Sequence, residues 1–131
     1  QFTKEGHLRW DSLGEYLALS ESIQDLARET NNTAAGTLGA ALDKAVGTFL
    51  SANKNPSRKV KEIDNRGSHY WVARYWAEEL AKQDKTADLK KTFEAVSNEL
   101  QKSEETILKD LIECQGSSVD IGGYYRVDKA K

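Results

Sequence analysis

Four short stretches of this chain combine residue types suited to holding a ligand. His7-Leu8-Arg9-Trp10-Asp11-Ser12-Leu13-Gly14-Glu15 sets a cation and an anion on either side of a tryptophan, just before a helix start. Asn55-Pro56-Ser57-Arg58-Lys59 presents an arginine from a proline-marked turn. Asp64-Asn65-Arg66-Gly67-Ser68-His69-Tyr70-Trp71 opens a helix, and Asp120-Ile121-Gly122-Gly123-Tyr124-Tyr125 is an aromatic tail that no helix pattern explains. Such residues in loops carried by rigid helices are a common layout for ligand contacts. A dianionic phosphate is best met by arginine, whose planar fork donates two parallel charge-assisted hydrogen bonds. Arg9 and Arg58 are the candidates. Taken alone, each would be read as a solvated surface charge, Arg9 paired with Asp11 or Glu15.

Other chemistries find less support. Gly-x-Gly-x-x-Gly is absent, and Gly122-Gly123 reads as a tight turn beside the two tyrosines. His7 and His69 are far apart in sequence with no cysteine at ligand spacing, which argues against zinc. His69 reads as a satisfied interior or capping histidine. Asp84 and Asp88 decorate a helix start and complete no metal cage. Trp71, Tyr75 and Trp76 crowd one helix and read as core aromatics. The single Cys114 is expected as a small core hydrophobe.

The elements that must position these residues are helices. Ser12 and Glu15 form a capping-box pattern opening a helix to about Glu29, with Leu13, Tyr16, Leu17, Leu19, Ile23 and Leu26 as one buried stripe. Asn31-Asn32 stop it, and Thr33 is the expected cap of a second helix carrying Leu38, Leu42, Ala45, Val46, Phe49 and Leu50. Gly36, Gly39 and Gly47 in that helix imply close approach of a neighbour. A lysine-rich irregular connector spans 55–64. A third helix runs from about Asn65 to Lys82, with Val72, Trp76 and Leu80 inward and Tyr70, Trp71 and Tyr75 off the main stripe, where they are expected to form an exposed patch. Leu89, Phe93, Val96 and Leu100 define a fourth helix, and Ile107, Leu108, Leu111 and Ile112 a fifth; Ser103 leaves open whether these are one helix or two. Gly116 is the expected C-cap. The expected fold is all-α, four to five packed amphipathic helices with an extended non-helical C-terminal tail, over 1–131 as a single helical unit.

At 131 residues the chain can bury one modest core. A net charge of −2 argues against nucleic acid or an anionic membrane as partner. No apolar run approaches the roughly 20 residues needed to span a bilayer, and a lone cysteine fits a reducing cytoplasm. The chain contains no methionine and opens on Gln1-Phe2-Thr3, so a cloned or proteolytic fragment is expected.

Taken in order and at this spacing, the four stretches resemble the C-terminal part of the monomeric-type NADP-dependent isocitrate dehydrogenases, over essentially all 131 residues. The resemblance implies an NADP site using the arginine and aspartate of Arg9-Trp10-Asp11 and the arginine of Pro56-Ser57-Arg58, with Trp10 between the first two. For Asp11 a role at the helix start is the alternative to a cofactor contact. It also implies that the chain is part of a larger cofactor-binding domain and is inactive alone. The residues for isocitrate and for a divalent metal (Mg or Mn) would lie upstream, together with a further histidine for the 2′-phosphate. No catalytic residue and no metal ligand is therefore assigned within this chain. NADP and the remainder of the parent polypeptide are the expected partners, and the isolated piece is expected to self-associate. The competing expectation is a non-catalytic helical module that binds another protein.

Overall fold

Short polar turns between long amphipathic stretches fold this chain as a sequence of helical hairpins. The computed structural model describes residues 1–123 and 125–131; Tyr124, part of the tail singled out above, lies outside the described residues. Among them are α1 (Phe2–Glu5), α2 (Leu13–Thr30), α3 (Thr33–Ser51), α4 (Asn65–Lys82), α5 (Ala87–Lys102) and α6 (Glu104–Glu113), and no strand. Five of these are the expected helices; the single turn of α1 is an addition. Ser103 separates α5 from α6, and the segment after Glu113 is non-helical.

Consecutive helices α2 to α5 pack pairwise, whereas α6 touches α4 and α5 only sparingly. The pairings are antiparallel: Tyr16 near the start of α2 meets Phe49 near the end of α3 at a ring separation of 5.8 Å, and Tyr70 early in α4 donates to the Leu100 carbonyl late in α5 at 2.8 Å. Tyr16, Leu42, Val46, Phe49, Tyr70, Trp71 and Val72 form the core, and Leu13, Ile23, Ile63 and Trp76 are among the side chains packed against it.

Several expectations are corrected. Tyr70 and Trp71 are buried, not exposed, because α4 is flanked by both α3 and α5. The apolar stripe of α2 is only half covered: Tyr16 is buried, yet Leu17, Leu19 and Leu26 stay exposed. The reason is that α2 packs mainly on α3 and meets α4 only at its start, where Tyr16 lies against His69 with Tyr16 Oη 3.0 Å from His69 Nδ1; beyond Tyr16 small and polar residues make the α2–α3 contact. Ser20 donates to the Gly39 carbonyl at 3.0 Å, and Gln24 packs over Gly39. Leu50 is likewise exposed, and Cys114 lies at the surface while its neighbour Gln115 is buried. Caps differ too. Ser12 makes no capping bond; Leu13 N donates instead to Asp11 Oδ1 at 2.9 Å. Asn32, not Thr33, caps α3 by accepting from Ala35 N at 3.0 Å. Gly116 is not the residue that ends α6; Cys114 holds that place.

Of the three α3 glycines, only Gly39 is at a close approach. A Cβ there would lie 2.6 Å from Gln24 Cγ and 3.1 Å from the Gln24 backbone nitrogen, whereas one at Gly47 would meet nothing within 4 Å. Gly39→Ala should therefore destabilise the chain by about 1–3 kcal/mol through overpacking, and Gly47→Ala should stabilise it by roughly 0.5–1 kcal/mol through helix propensity. Urea unfolding followed by helical circular dichroism measures both, and like-signed changes would contradict this packing.

Candidate functional site

The residues singled out in the sequence converge at the N-terminal end of α4. Asp64 caps that helix: Oδ1 accepts from Arg66 N at 3.0 Å and Gly67 N at 3.4 Å. Its other oxygen accepts from Leu8 N at 3.2 Å and from the Arg66 guanidinium at 3.0 and 2.6 Å. Arg66 in turn donates to the Gly6 carbonyl at 2.6 Å. Asn65 completes the clasp, its backbone N–H donating to Leu8 O at 2.9 Å and its side chain to Trp10 O at 3.0 Å and Ser12 Oγ at 2.8 Å. Three consecutive residues thus fix residues 6–12. Burial alone would raise the Asp64 carboxyl; the Arg66 hydrogen bonds, the amides of Leu8 and Gly67 and the Arg66 charge outweigh it and hold the group below its ordinary 3.8.

The connector before α4 is folded on itself and on the same loop. Ser57 N donates to Ile63 O at 2.7 Å, while the Ser57 hydroxyl accepts from Lys59 N at 3.1 Å and donates to Glu62. Two links join it to residues 6–12. His7 Nε2 faces Ser57 O at 2.8 Å, and Arg9 Nε donates to Arg58 O at 2.7 Å. The Arg9 guanidinium also pairs with Glu5. The tail closes behind, with Gly116 N on Glu5 O at 2.6 Å and Val119 N on Thr3 O at 2.8 Å.

All four predicted site residues, Arg9, Trp10, Asp11 and Arg58, therefore lie along two adjoined loops. Arg9 and Trp10 line a cleft of about 490 Å³ with Gln1, Phe2, Thr3, His7 and Ile121. Trp10 is 57% exposed. Asp11 serves the start of α2. The Arg58 side chain is exposed and makes no hydrogen bond or ion pair among the described residues. Its backbone is anchored by Arg9, and Arg58 is not among the residues that line the cleft. Among the described residues no three His, Cys, Asp or Glu side chains gather as metal ligands. The sequence reading missed the parts played by Asp64, Asn65, Arg66, His7 and Gln115. Only Asp64 carried a local signal, as an acidic residue just ahead of a helix.

The family model described as monomeric isocitrate dehydrogenase matches residues 1–131. The chain is 51% identical over 130 residues to an isocitrate dehydrogenase [NADP] 2 of Psychrobacter sp. (strain 13A), covering 99% of this chain and 18% of that protein. It is 54% identical over 125 residues to an isocitrate dehydrogenase [NADP] of Corynebacterium efficiens, covering 95% and 17% respectively. With the Corynebacterium glutamicum isocitrate dehydrogenase [NADP] the identity is 50% over 131 residues, covering 100% and 18%. The chain thus spans less than a fifth of the length of these relatives.

The clasp makes a pH-dependent prediction. Asp64 titrates below 3.8 when folded, so its stabilisation is complete above the ordinary carboxylate range and is lost as pH falls through the lower folded value. Asp64→Asn should cost about 2 kcal/mol near neutral pH, the scale of charge-assisted hydrogen bonds. The gap from the parent chain should narrow on acidification to about pH 3. Urea unfolding at both pH values checks this; a gap independent of pH would refute it.

Proposed function

The chain belongs to the monomeric isocitrate dehydrogenase family, and from that premise we propose that it is a segment of a longer NADP-dependent isocitrate dehydrogenase. In this reading the whole polypeptide carries out oxidative decarboxylation of isocitrate to 2-oxoglutarate, a reaction of the tricarboxylic acid cycle. This segment supplies part of the site for the ribose 2′-phosphate of NADP. Arg9 and Arg58 address the phosphate, Trp10 walls the cleft beside it, and Asp11 holds the loop at the start of α2. The observation that carries the assignment is the Arg9 Nε bond to Arg58 O at 2.7 Å. It sets side by side two arginines 49 residues apart, one of them with its guanidinium exposed.

Bound NADP would supply the hydride acceptor for the oxidation; the role proposed for Arg9, Trp10, Asp11 and Arg58 is to hold and orient it. The divalent cation of the reaction finds no cluster of ligands among the described residues, and we assign it, with the substrate-binding groups, to the rest of the polypeptide. Activity of the 131-residue piece alone is not expected. We place the enzyme in the cytoplasm, in keeping with a lone cysteine at the surface; no helix among the described residues is long and apolar enough to cross a membrane.

In the full-length enzyme, Arg9→Ala or Arg58→Ala should weaken NADP use by roughly tenfold to a hundredfold, from charge-assisted hydrogen bonds of about 1.5–3 kcal/mol. NAD, which lacks the phosphate, should be affected much less, and the double variant should lose less than the sum because both groups meet one phosphate. The ratio of kcat/KM for the two cofactors is the measurement. Equal losses with both would assign these arginines to scaffold.

A second expectation concerns the isolated piece. Leu19 and Leu26 are exposed, with half-buried Ile23 between them, a line at i, i+4, i+7 on α2. We propose that the remainder of the polypeptide covers this line and that the piece alone self-associates through it. Sedimentation should show dimers or larger species that Leu19→Lys with Leu26→Lys returns to monomer. A monomeric parent piece at high concentration would count against it.

A further inference from the structure

His7 is only 1% exposed, and the phosphate site as proposed makes no use of it. Its position is informative. It lies two residues before Arg9, and the carbonyl it faces, Ser57 O at 2.8 Å, immediately precedes Arg58. The Arg9–Arg58 contact is a second rung between the same two loops. These rungs differ in one respect. The Arg9 rung is made by a side chain that a phosphate would compete for, whereas the His7 rung is buried and independent of either guanidinium.

The ring itself is held. Gln115, 2% exposed, presents Oε1 to His7 Nδ1 at 2.7 Å. The orientation of that amide is set by its other partners: Oε1 accepts from Lys61 N at 2.8 Å, and Nε2 donates to Glu62 O and Leu111 O, both at 3.0 Å. Reversal would set an NH₂ group against the Lys61 N–H and an oxygen against two carbonyls. Gln115 therefore joins the end of α6, the connector and the imidazole. Both ring nitrogens face oxygen acceptors, Gln115 Oε1 and Ser57 O, so each contact is a hydrogen bond only where that nitrogen carries an N–H, and neither nitrogen is open to a substrate. We propose that His7, oriented by Gln115, is a positioning residue that sets the separation of Arg9 and Arg58, and through it the preference for a 2′-phosphorylated cofactor. The inference rests on the assignment of that phosphate to the two arginines. A misplaced fork loses the paired geometry that gives arginine its hold on phosphate, so the effect falls on NADP and not on NAD.

Two near-isosteric variants in the full-length enzyme separate the roles of the ring nitrogens. The amide nitrogen of asparagine reaches the place of Nδ1, and that of glutamine the place of Nε2. His7→Gln keeps a donor for Ser57 O; His7→Asn keeps only the group facing Gln115. His7→Asn should raise KM for NADP several-fold to about tenfold, the scale of one hydrogen bond, with kcat and the NAD parameters unchanged. His7→Gln should stay near the parent enzyme. Gln115→Glu keeps an oxygen for His7 and loses the donors to Glu62 and Leu111; it should also raise KM for NADP alone, and serves if His7→Asn does not fold. Equal effects of the two His7 variants, an unchanged KM for NADP in the folded variants, or parallel losses with NAD would overturn the positioning role. Arg58→Ala run beside them separates the two failures. If it loses NADP selectively while the His7 and Gln115 variants do not, the phosphate assignment stands and the positioning role falls. If Arg58→Ala loses both cofactors alike, the assignment itself falls and the inference with it.

Discussion

The buried carboxylate of Asp64 is the constraint on which the site depends. An ionised group removed from water is tolerated only when paired and hydrogen-bonded, and Asp64 meets that condition with donors from two separate segments. The amides of Arg66 and Gly67 and the Arg66 guanidinium come from its own helix, and the Leu8 amide from the loop 56 residues earlier. Displacing that loop would leave a buried negative charge with one donor fewer and would release Arg66 from Gly6 O. The carboxylate therefore acts as a register pin. It sets where residues 6–12 sit against α4, and Asn65 extends the same grip to Trp10 and Ser12. Hydrogen bonds from several segments to one buried charge gain together and fail together, which keeps a loop with few apolar contacts in one place.

The helical scaffold solves a different problem, and unevenly. Around α4, aromatic side chains do the packing, with Tyr70 and Trp71 edge to face at 5.5 Å and the Lys54 ammonium 3.9 Å over the indole ring. Trp76 spends its indole N–H on the Leu38 carbonyl at 2.9 Å, so a large half-buried side chain carries no orphan donor. Between α2 and α3 the aromatic contact is confined to Tyr16 and Phe49; further along, Ser20, Gln24 and Gly39 let the two backbones come close but leave leucines outside. Leu17, Leu19 and Leu26 of α2 thus remain uncovered within this chain. That is consistent with a chain spanning less than a fifth of its relatives' length.

What the sequence revealed and what it hid follow the range of the interactions involved. The expected helix from about Asn65 to Lys82 coincides with α4, because an apolar stripe and a following turn are local signals; the Asp64 cap that starts it went unread. The break at Ser103 was visible as an alternative and is a true helix end. On α2 the same periodicity could show that leucines share a surface but not whether a neighbour is present to cover it, so Leu19 and Leu26 were read as core. The inversion at Cys114 and Gln115 has a similar origin. Hydropathy favours the thiol as the buried member, whereas four polar partners contributed by residues 7, 61, 62 and 111 make the amide the better one to bury. Arg9, Trp10, Asp11 and Arg58 stand as site residues only through the family resemblance. The groups that hold them in place could not be read, since a hydrogen bond across 50 or 108 residues leaves no periodic trace.

That division also explains why the arginines sit in loops and not on helices. A guanidinium on a helix face is positioned by one element and moves with it. Here the two loops are bound to each other by Arg9 and His7, to α4 by Asp64 and Asn65, and to the end of α6 by Gln115. The backbone at Arg9 and Arg58 is thus held from several directions, while the Arg9 guanidinium is engaged by Glu5 and Arg58 O and the Arg58 side chain is exposed. Ser57 Oγ is satisfied within the connector, between Lys59 N and Glu62, whereas the buried Asn55 Oδ1 of the same connector has no hydrogen-bond partner among the described residues. The exposed Arg58 cation has no such partner among the described residues. Were the proposed phosphate to bind here, the ordering that a free loop would require on binding would already have been met in folding.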